Sequence, residues 1–192
     1  VESVETFESV KGGLEGLIIG EVLSVVKHPN ADKLSLTRVN TGNDTTLSIV
    51  CGAPNVAAGQ KVVVAPVGST IYPLKSEPLT MKAAKIRGEL SEGMICAEDE
   101  IGVGESHEGI MVLPADLEPG TPAASWFKPY SDTVISIGLT PNRSDAMSHL
   151  GVARDICAWL NHHENQDYSV RYPEHDLPEV TENSLSVTVS VE

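Results

Sequence analysis

LIIGEVLSVVKHPNADKLSLTRV, residues 17–39, holds two apolar runs around a short polar insert. The first run, 17–26, is rich in β-branched residues and reads as a strand, with Gly20 marking a bulge or a close approach of neighbouring backbone. Pro29 ends it, because proline supplies no donor to a sheet ladder. LSLTRVN (34–40) sets Leu34 and Leu36 on one face by period two, and TGND (41–44) is a turn. HPNADKL (28–34) is therefore a polar loop between the first two strands of a sheet.

The same pattern continues outward. TLSIVCGAPN (46–55) alternates Leu47, Ile49 and Cys51 before a Gly/Pro/Asn exit. KVVVAPVGSTI (61–71) is nearly all apolar, as for a strand buried on both faces or at a barrel bend. AKIRG (84–88) and GMICA (93–97) read as two more strands separated by the turn ELSE. About five short strands at this spacing suit a small closed sheet better than a helical fold. Near WFKPYSD (126–132) the character changes. VISIGLT (134–140) is another strand, and TPNRSD (140–145) is a turn with helix-start chemistry. Beyond it Met147, Leu150, Ala153, Ile156 or Cys157, and Leu160 recur at helical spacing, with Ser144, Asp145 or Ser148 as possible caps. One helix and a few strands make an incomplete second domain. The chain opens without methionine and ends within SLSVTVSVE (184–192), an alternating strand pattern, so it reads as a piece of a longer protein.

Composition narrows the function. No apolar run approaches the roughly 20 residues of a membrane span, and no basic-then-apolar leader opens the chain. Cys51, Cys96 and Cys157 are scattered, odd in number and in no C-x-x-C arrangement, which argues against a disulfide framework or zinc knuckle and makes a reducing cytoplasm the natural setting. The net charge of −14 disfavours a nucleic-acid binder on average, yet the charge is segregated. Residues 27–87 hold eight basic residues (Lys27, Lys33, Arg38, Lys61, Lys75, Lys82, Lys85, Arg87) against Asp32, Asp44 and Glu77, a local balance of +5. Residues 89–118 hold nine acids and no Lys or Arg. One molecule can thus carry a basic and an acidic face.

No metal-ligand spacing joins the histidines at 28, 107, 149, 162, 163 and 175. There is no GxSxG elbow, and the glycines at 102 and 104 lack the third glycine of a dinucleotide site. Cys51 and Cys96 sit in apolar strands as small core residues. No catalytic residue and no metal site is expected. Binding is better supported: in an OB-type barrel the loop between strands one and two edges the nucleic-acid face. His28, Asn30 and Lys33 would project from it. Lys85 and Arg87 share a strand face by alternation, with Ile86 turned to the core and Lys82 just upstream. Aromatics are scarce, so backbone and shape contacts are favoured over base stacking.

Residues 19–39, with IVCGAPN (49–55), KAAKIRG (82–88), SEGM (91–94) and HEGIMVLP (107–114), resemble the tRNA-binding OB domain of several synthetases and stand-alone tRNA-binding proteins. CGAPN, KAAKIRG and TPNRSDAMSHLGVARD (140–155) are similar to the β subunits of bacterial phenylalanyl-tRNA synthetases. That resemblance implies a mainly β fold with α+β: a five-stranded OB barrel over 11–128, inserted into a small α+β domain of which 1–10 is a remnant and 129–192 a truncated second part. It implies a tRNA partner, an α subunit in an α2β2 cytoplasmic enzyme, no membrane, and ATP and magnesium for the whole synthetase but no cofactor in this fragment. His28, Asn30, Lys33, Lys82, Lys85, Arg87 and Ser91 are its RNA-binding candidates, with Asp32 and Met94 shaping the loop and packing. Asn142, Arg143 and Asp145 would hold the strand-to-helix junction. Two alternatives stay open: a scaffold or subunit-interface module with little RNA affinity, and a stand-alone tRNA-binding dimer.

Overall fold

The computed structural model describes residues 1–174. His175 and the strand expected at 184–192 lie outside the described residues. The described chain forms two compact units, Ser3–Ile135 and Val1–Glu2 with the residues from Ser136 onward. The first begins with β1 (Ser3–Glu8) and a 3-10 turn at Lys11–Leu14, followed by β2 (Ile18–Lys27), β3 (Ser35–Asn40), β4 (Thr46–Cys51) and β5 (Lys61–Pro66). Two short hairpins follow, β6 (Thr70–Ile71) with β7 (Leu79–Thr80), and β8 (Ala84–Ile86) with β9 (Glu89–Ser91). Then come β10 (Gly93–Ile95), β11 (Val112–Leu113), a five-residue helix α1 (Ala123–Phe127) and β12 (Ser131–Ser136), which pairs with β1.

The main sheet runs β10-β5-β2-β3-β4 with β11 added to β5, and every pair is antiparallel. Its ends nearly meet, because the Glu92 N–H donates to the Ser48 carbonyl of β4 at 2.8 Å. Side chains complete this seam. Glu92 Oε2 accepts the Ser48 N–H at 3.0 Å, and Ser91 Oγ accepts the Val50 N–H at 3.1 Å while donating to the Gly93 carbonyl. An edge strand's unpaired amides are thus satisfied without a full ladder. Order, directions and near-closure are those of a five-stranded OB barrel.

β5 holds two cores apart. Val62 and Val64 face the barrel interior with Val22, Val39, Ile49, Cys51, Ile95 and Ile110. Val63 and Ala65 face outward into a second layer with Leu17, Ile19, Ile71, Cys96 and Ala123. All four β5 residues are fully buried, which is why 61–65 carries no alternation; each valine contributes about 1.5–3 kcal/mol by burial. Gly20 of β2 is a close-approach point, since a Cβ there would fall 2.7 Å from both Val39 Cγ1 and Val64 Cγ2. The β-bulge lies further along, where the register against β3 shifts between Val22 and Ser24. Burial lifts the thiols of Cys51 and Cys96 above their ordinary range, as for inert core cysteines.

Three local readings need correction. ELSE is not a turn: Glu89–Ser91 is strand β9, and the reversal lies at Arg87-Gly88, both at positive φ (52° and 100°). Arg87 therefore does not share a strand face with Lys85, and Ile86 is 37% exposed rather than in the core. The strand expected over 134–140 begins and ends earlier, as β12.

In the second unit, the Glu2 N–H donates to the Ser136 carbonyl. A 3-10 turn at Ser144–Ala146 leads into α2 (His149–His163), capped by Ser148, whose side chain accepts the Gly151 N–H. Arg143 forks onto Asp145 and Asp155 at 2.8–3.1 Å and holds the Asp145 carboxyl below its ordinary value. Leu150, Ala153, Cys157 and Leu160 are partly buried, while Met147, Ile156 and Trp159 are exposed.

Candidate nucleic-acid interface

The loop 28–34 joins β2 to β3 at one barrel end, and the chain between β5 and β10 carries the β8–β9 hairpin to the same place. The connection is direct: His28 Nε2 lies 3.3 Å from the Ile86 carbonyl. Beside the β9 strand of the hairpin runs a groove of about 270 Å³ lined by Ser24, Val26, Leu36, Arg38, Ser48, Leu90 and the carboxylate-bearing Glu89. It lies on the outward face of β2, β3 and β4. On β3 that face carries Leu36 and Arg38, because Thr37 and Val39 are the buried pair. Thr37 is tolerated inside because its hydroxyl donates to the Ile49 carbonyl at 2.8 Å.

The expected RNA-binding residues divide sharply. Asn30, Lys33, Lys82, Lys85 and Arg87 are exposed. Lys33 belongs to the loop, Lys85 to β8 and Arg87 to the hairpin turn, while Lys82 lies between β7 and β8. His28 does not project: it is 3% exposed, and its Nδ1 accepts the Asn30 N–H at 3.0 Å. Ser91 is equally buried at 3% and serves the barrel seam. Met94 packs against the outer core layer. Asp32 is exposed and pairs with Lys27 at 3.1 Å, a solvated contact of little energetic weight.

The other cations do not all share this face. Arg38 does, its guanidinium donating to Ser48 Oγ at 3.3 Å. Lys61 is turned inward and bonded to Glu21. Lys75 lines a different hollow, with Asp99, Glu100 and His107 of the acidic segment. Sequence reading missed the groove itself, above all Arg38 and Ser48. The available signal was the parity of β3: an arginine and a leucine two apart, with Thr37 and Val39 between and beyond them.

The acidic segment builds its own local structure. His107 Nδ1 is 2.9 Å from Oδ1 of the buried Asp99, and this bond raises the imidazole above its ordinary value. Among the described residues no three His, Cys, Asp or Glu side chains converge as a metal-ligand set, and no helix is long and apolar enough to cross a membrane.

The phenylalanine–tRNA ligase β subunit of Bacteroides fragilis is 54% identical over 189 residues, 98% of this chain and 23% of that protein. The β subunit of Porphyromonas gingivalis is 50% identical over 188 residues, 97% of this chain and again 23% of the relative. The chain thus spans about a quarter of the length of these curated relatives. Among solved structures, a MetRS related protein from Pyrococcus horikoshii is 21% identical with a TM-score of 0.40, covering 55% of this chain and 85% of that one. The family model described as a putative tRNA binding domain matches residues 17–122, the span from the start of the barrel to the threshold of α1, and the chain belongs to that family.

Proposed function

We propose that this chain is the tRNA-contacting module of a phenylalanine–tRNA ligase β subunit, and that it works by backbone recognition at one end of its barrel. The carrying observation is the junction of two basic segments distant in sequence: the end of β2 with Lys27 and the loop with Lys33 meet the hairpin with Lys85 and Arg87 through the His28–Ile86 bond, near the groove that holds Arg38. Cations at these positions meet phosphates, displace counterions and fix orientation without reading bases. Leu36, Val26 and Leu90 give the groove an apolar floor suited to a sugar or a base face. Lys82 extends the same basic line. Asn30 supplies a neutral donor and acceptor at the loop tip.

The whole ligase would esterify phenylalanine to its tRNA with ATP and magnesium, alongside an α subunit in the cytoplasm. This chain supplies tRNA-contacting residues to that reaction and no catalytic residue. The barrel over 11–128 would be the RNA module, and 1–10 with 129–192 parts of the domain that carries it. A scaffold role is the second reading, favoured by the acidic segment 89–118 and the net charge of −14.

Titration of the chain with a transcribed tRNA at several salt concentrations separates them. The RNA reading expects binding that weakens steeply with salt. Replacing Lys82, Lys85 and Arg87 by alanine would lower the salt slope by about 2–3. Absence of binding at about 50 mM salt, or an unchanged slope in the triple variant, favours the scaffold.

A further inference from the structure

A single neutral imidazole joins the two halves of the proposed interface. Because His28 Nδ1 accepts the Asn30 N–H at 3.0 Å, the ring proton sits on Nε2, which donates to the Ile86 carbonyl at 3.3 Å. The His28 N–H also donates to the Leu34 carbonyl at 3.0 Å, and the Leu34 N–H to that of Ala31 at 3.2 Å. The ring is thus rooted in a loop that closes on itself. Its acceptor immediately precedes the Arg87-Gly88 turn. The hairpin beyond has strands of only three residues, and Ala84–Gly88 is exposed throughout. Such a hairpin is not stable alone. Ser91 and Glu92 tie its base to β4; His28 ties its tip.

We propose that His28 is a positioning residue for RNA binding: buried, with both ring nitrogens engaged, it clasps the hairpin to the loop so that Lys85 and Arg87 stand beside Lys27 and Lys33 before RNA arrives. This rests on the reading of that barrel end as the tRNA interface. The physical gain is preorganisation. A tip free to sample many positions must be ordered on binding, and the ordering cost is subtracted from every phosphate contact it makes. His28 itself carries no charge to the phosphate in this state and cannot donate to one without releasing Ile86.

A double-mutant cycle on the full chain, read by tRNA affinity and salt slope, tests the clasp. K85A/R87A is expected to weaken binding about tenfold and lower the slope by about 2; no effect there overturns the reading of the face. H28A is expected to weaken binding about three- to tenfold in the wild-type background, yet less than about twofold in K85A/R87A, since the clasp acts only through those cations. Equal losses in both backgrounds, or no loss in the first while K85A/R87A still loses, overturns the clasp and leaves the interface standing. H28N and H28Q guard against a variant that fails to fold. Asn keeps the acceptor for the Asn30 N–H but not the reach to Ile86, and Gln keeps the reach. H28Q is expected within about twofold of wild type and H28N to behave as H28A; the reverse order overturns the proposal. Nitrogen NMR of the free chain supplies a reading independent of RNA: the Nε2–H tautomer is expected, and a ring protonated at Nδ1 overturns it.

Discussion

Lys61 Nζ lies 2.9 Å from Glu21 Oε2, joining paired positions of β5 and β2, and the lysine is 9% exposed. A residue counted among the basic stretch thus serves the barrel. Replacing Lys61 by alanine leaves a carboxylate short of its partner. Loss of one partner of a fully buried pair costs about 3–5 kcal/mol. Glu21 keeps a third of its side-chain exposure, so the expected loss is nearer 1–3 kcal/mol after solvent screening, measured by urea unfolding. Once the folded fraction is corrected for, tRNA affinity and salt slope are expected to stay unchanged. A reduced slope would move Lys61 back into the interface.

At Gly20 the constraint is steric. Its backbone needs no left-handed conformation, but a methyl group would sit 2.7 Å from Val39 and Val64, two fully buried neighbours. Gly20→Ala is expected to destabilise by about 1–3 kcal/mol through overpacking. Thermal or denaturant unfolding reads this directly. A stability equal to wild type would mean that β2 can shift away from β3 and β5 at no cost, contrary to their paired register.

Ser91 stands at the barrel's incomplete seam. Removing its hydroxyl leaves the Val50 N–H without its acceptor and the Gly93 carbonyl without its donor. Ser91→Ala is expected to cost about 1–3 kcal/mol, the range for stranding buried polar groups. Hydrogen exchange is expected to quicken at the Val50 amide more than at amides of the β2–β3 ladder. An unchanged stability together with a lost tRNA affinity would instead assign Ser91 to RNA contact.

Much of the barrel was legible because its strands alternate between turn-forming residues, as TLSIVC does between TGND and GAPN. The KVVVA run announced burial on both faces, and Val62 to Ala65 occupy two cores. What stayed hidden depended on partners far away in sequence. Thr37 reads as an outward residue until Ile49 offers its carbonyl, and with that the parity of β3 and the outward place of Arg38 follow. Arg87 reads as strand because few non-glycine residues accept a positive φ, yet the Arg87-Gly88 turn imposes one. His28 and Ser91 are polar residues beside lysines, and pattern alone does not separate a phosphate contact from a buried tie. Their partners, Ile86 and Val50, lie 58 and 41 residues away.

The Asp99–His107 pair gives the fold a pH dependence of defined sign. The Asp99 bond and charge raise His107 above its ordinary 6.5, with a smaller upward push from Glu100, while desolvation and Lys75 oppose it. A histidine that binds its proton more tightly in the folded state favours folding wherever the ring is protonated. Its contribution is therefore complete below the unfolded value and disappears as the pH rises through the higher folded value. Comparing wild type with His107→Gln by urea unfolding isolates the effect from the other titrating groups. The stability difference is expected to be largest below about pH 6 and to shrink steadily above about pH 7. Because His107 is open to solvent, added salt is expected to reduce the difference at every pH. A difference that grows with pH would require the neutral ring to be the one held by Asp99, and would reverse the sign of the coupling.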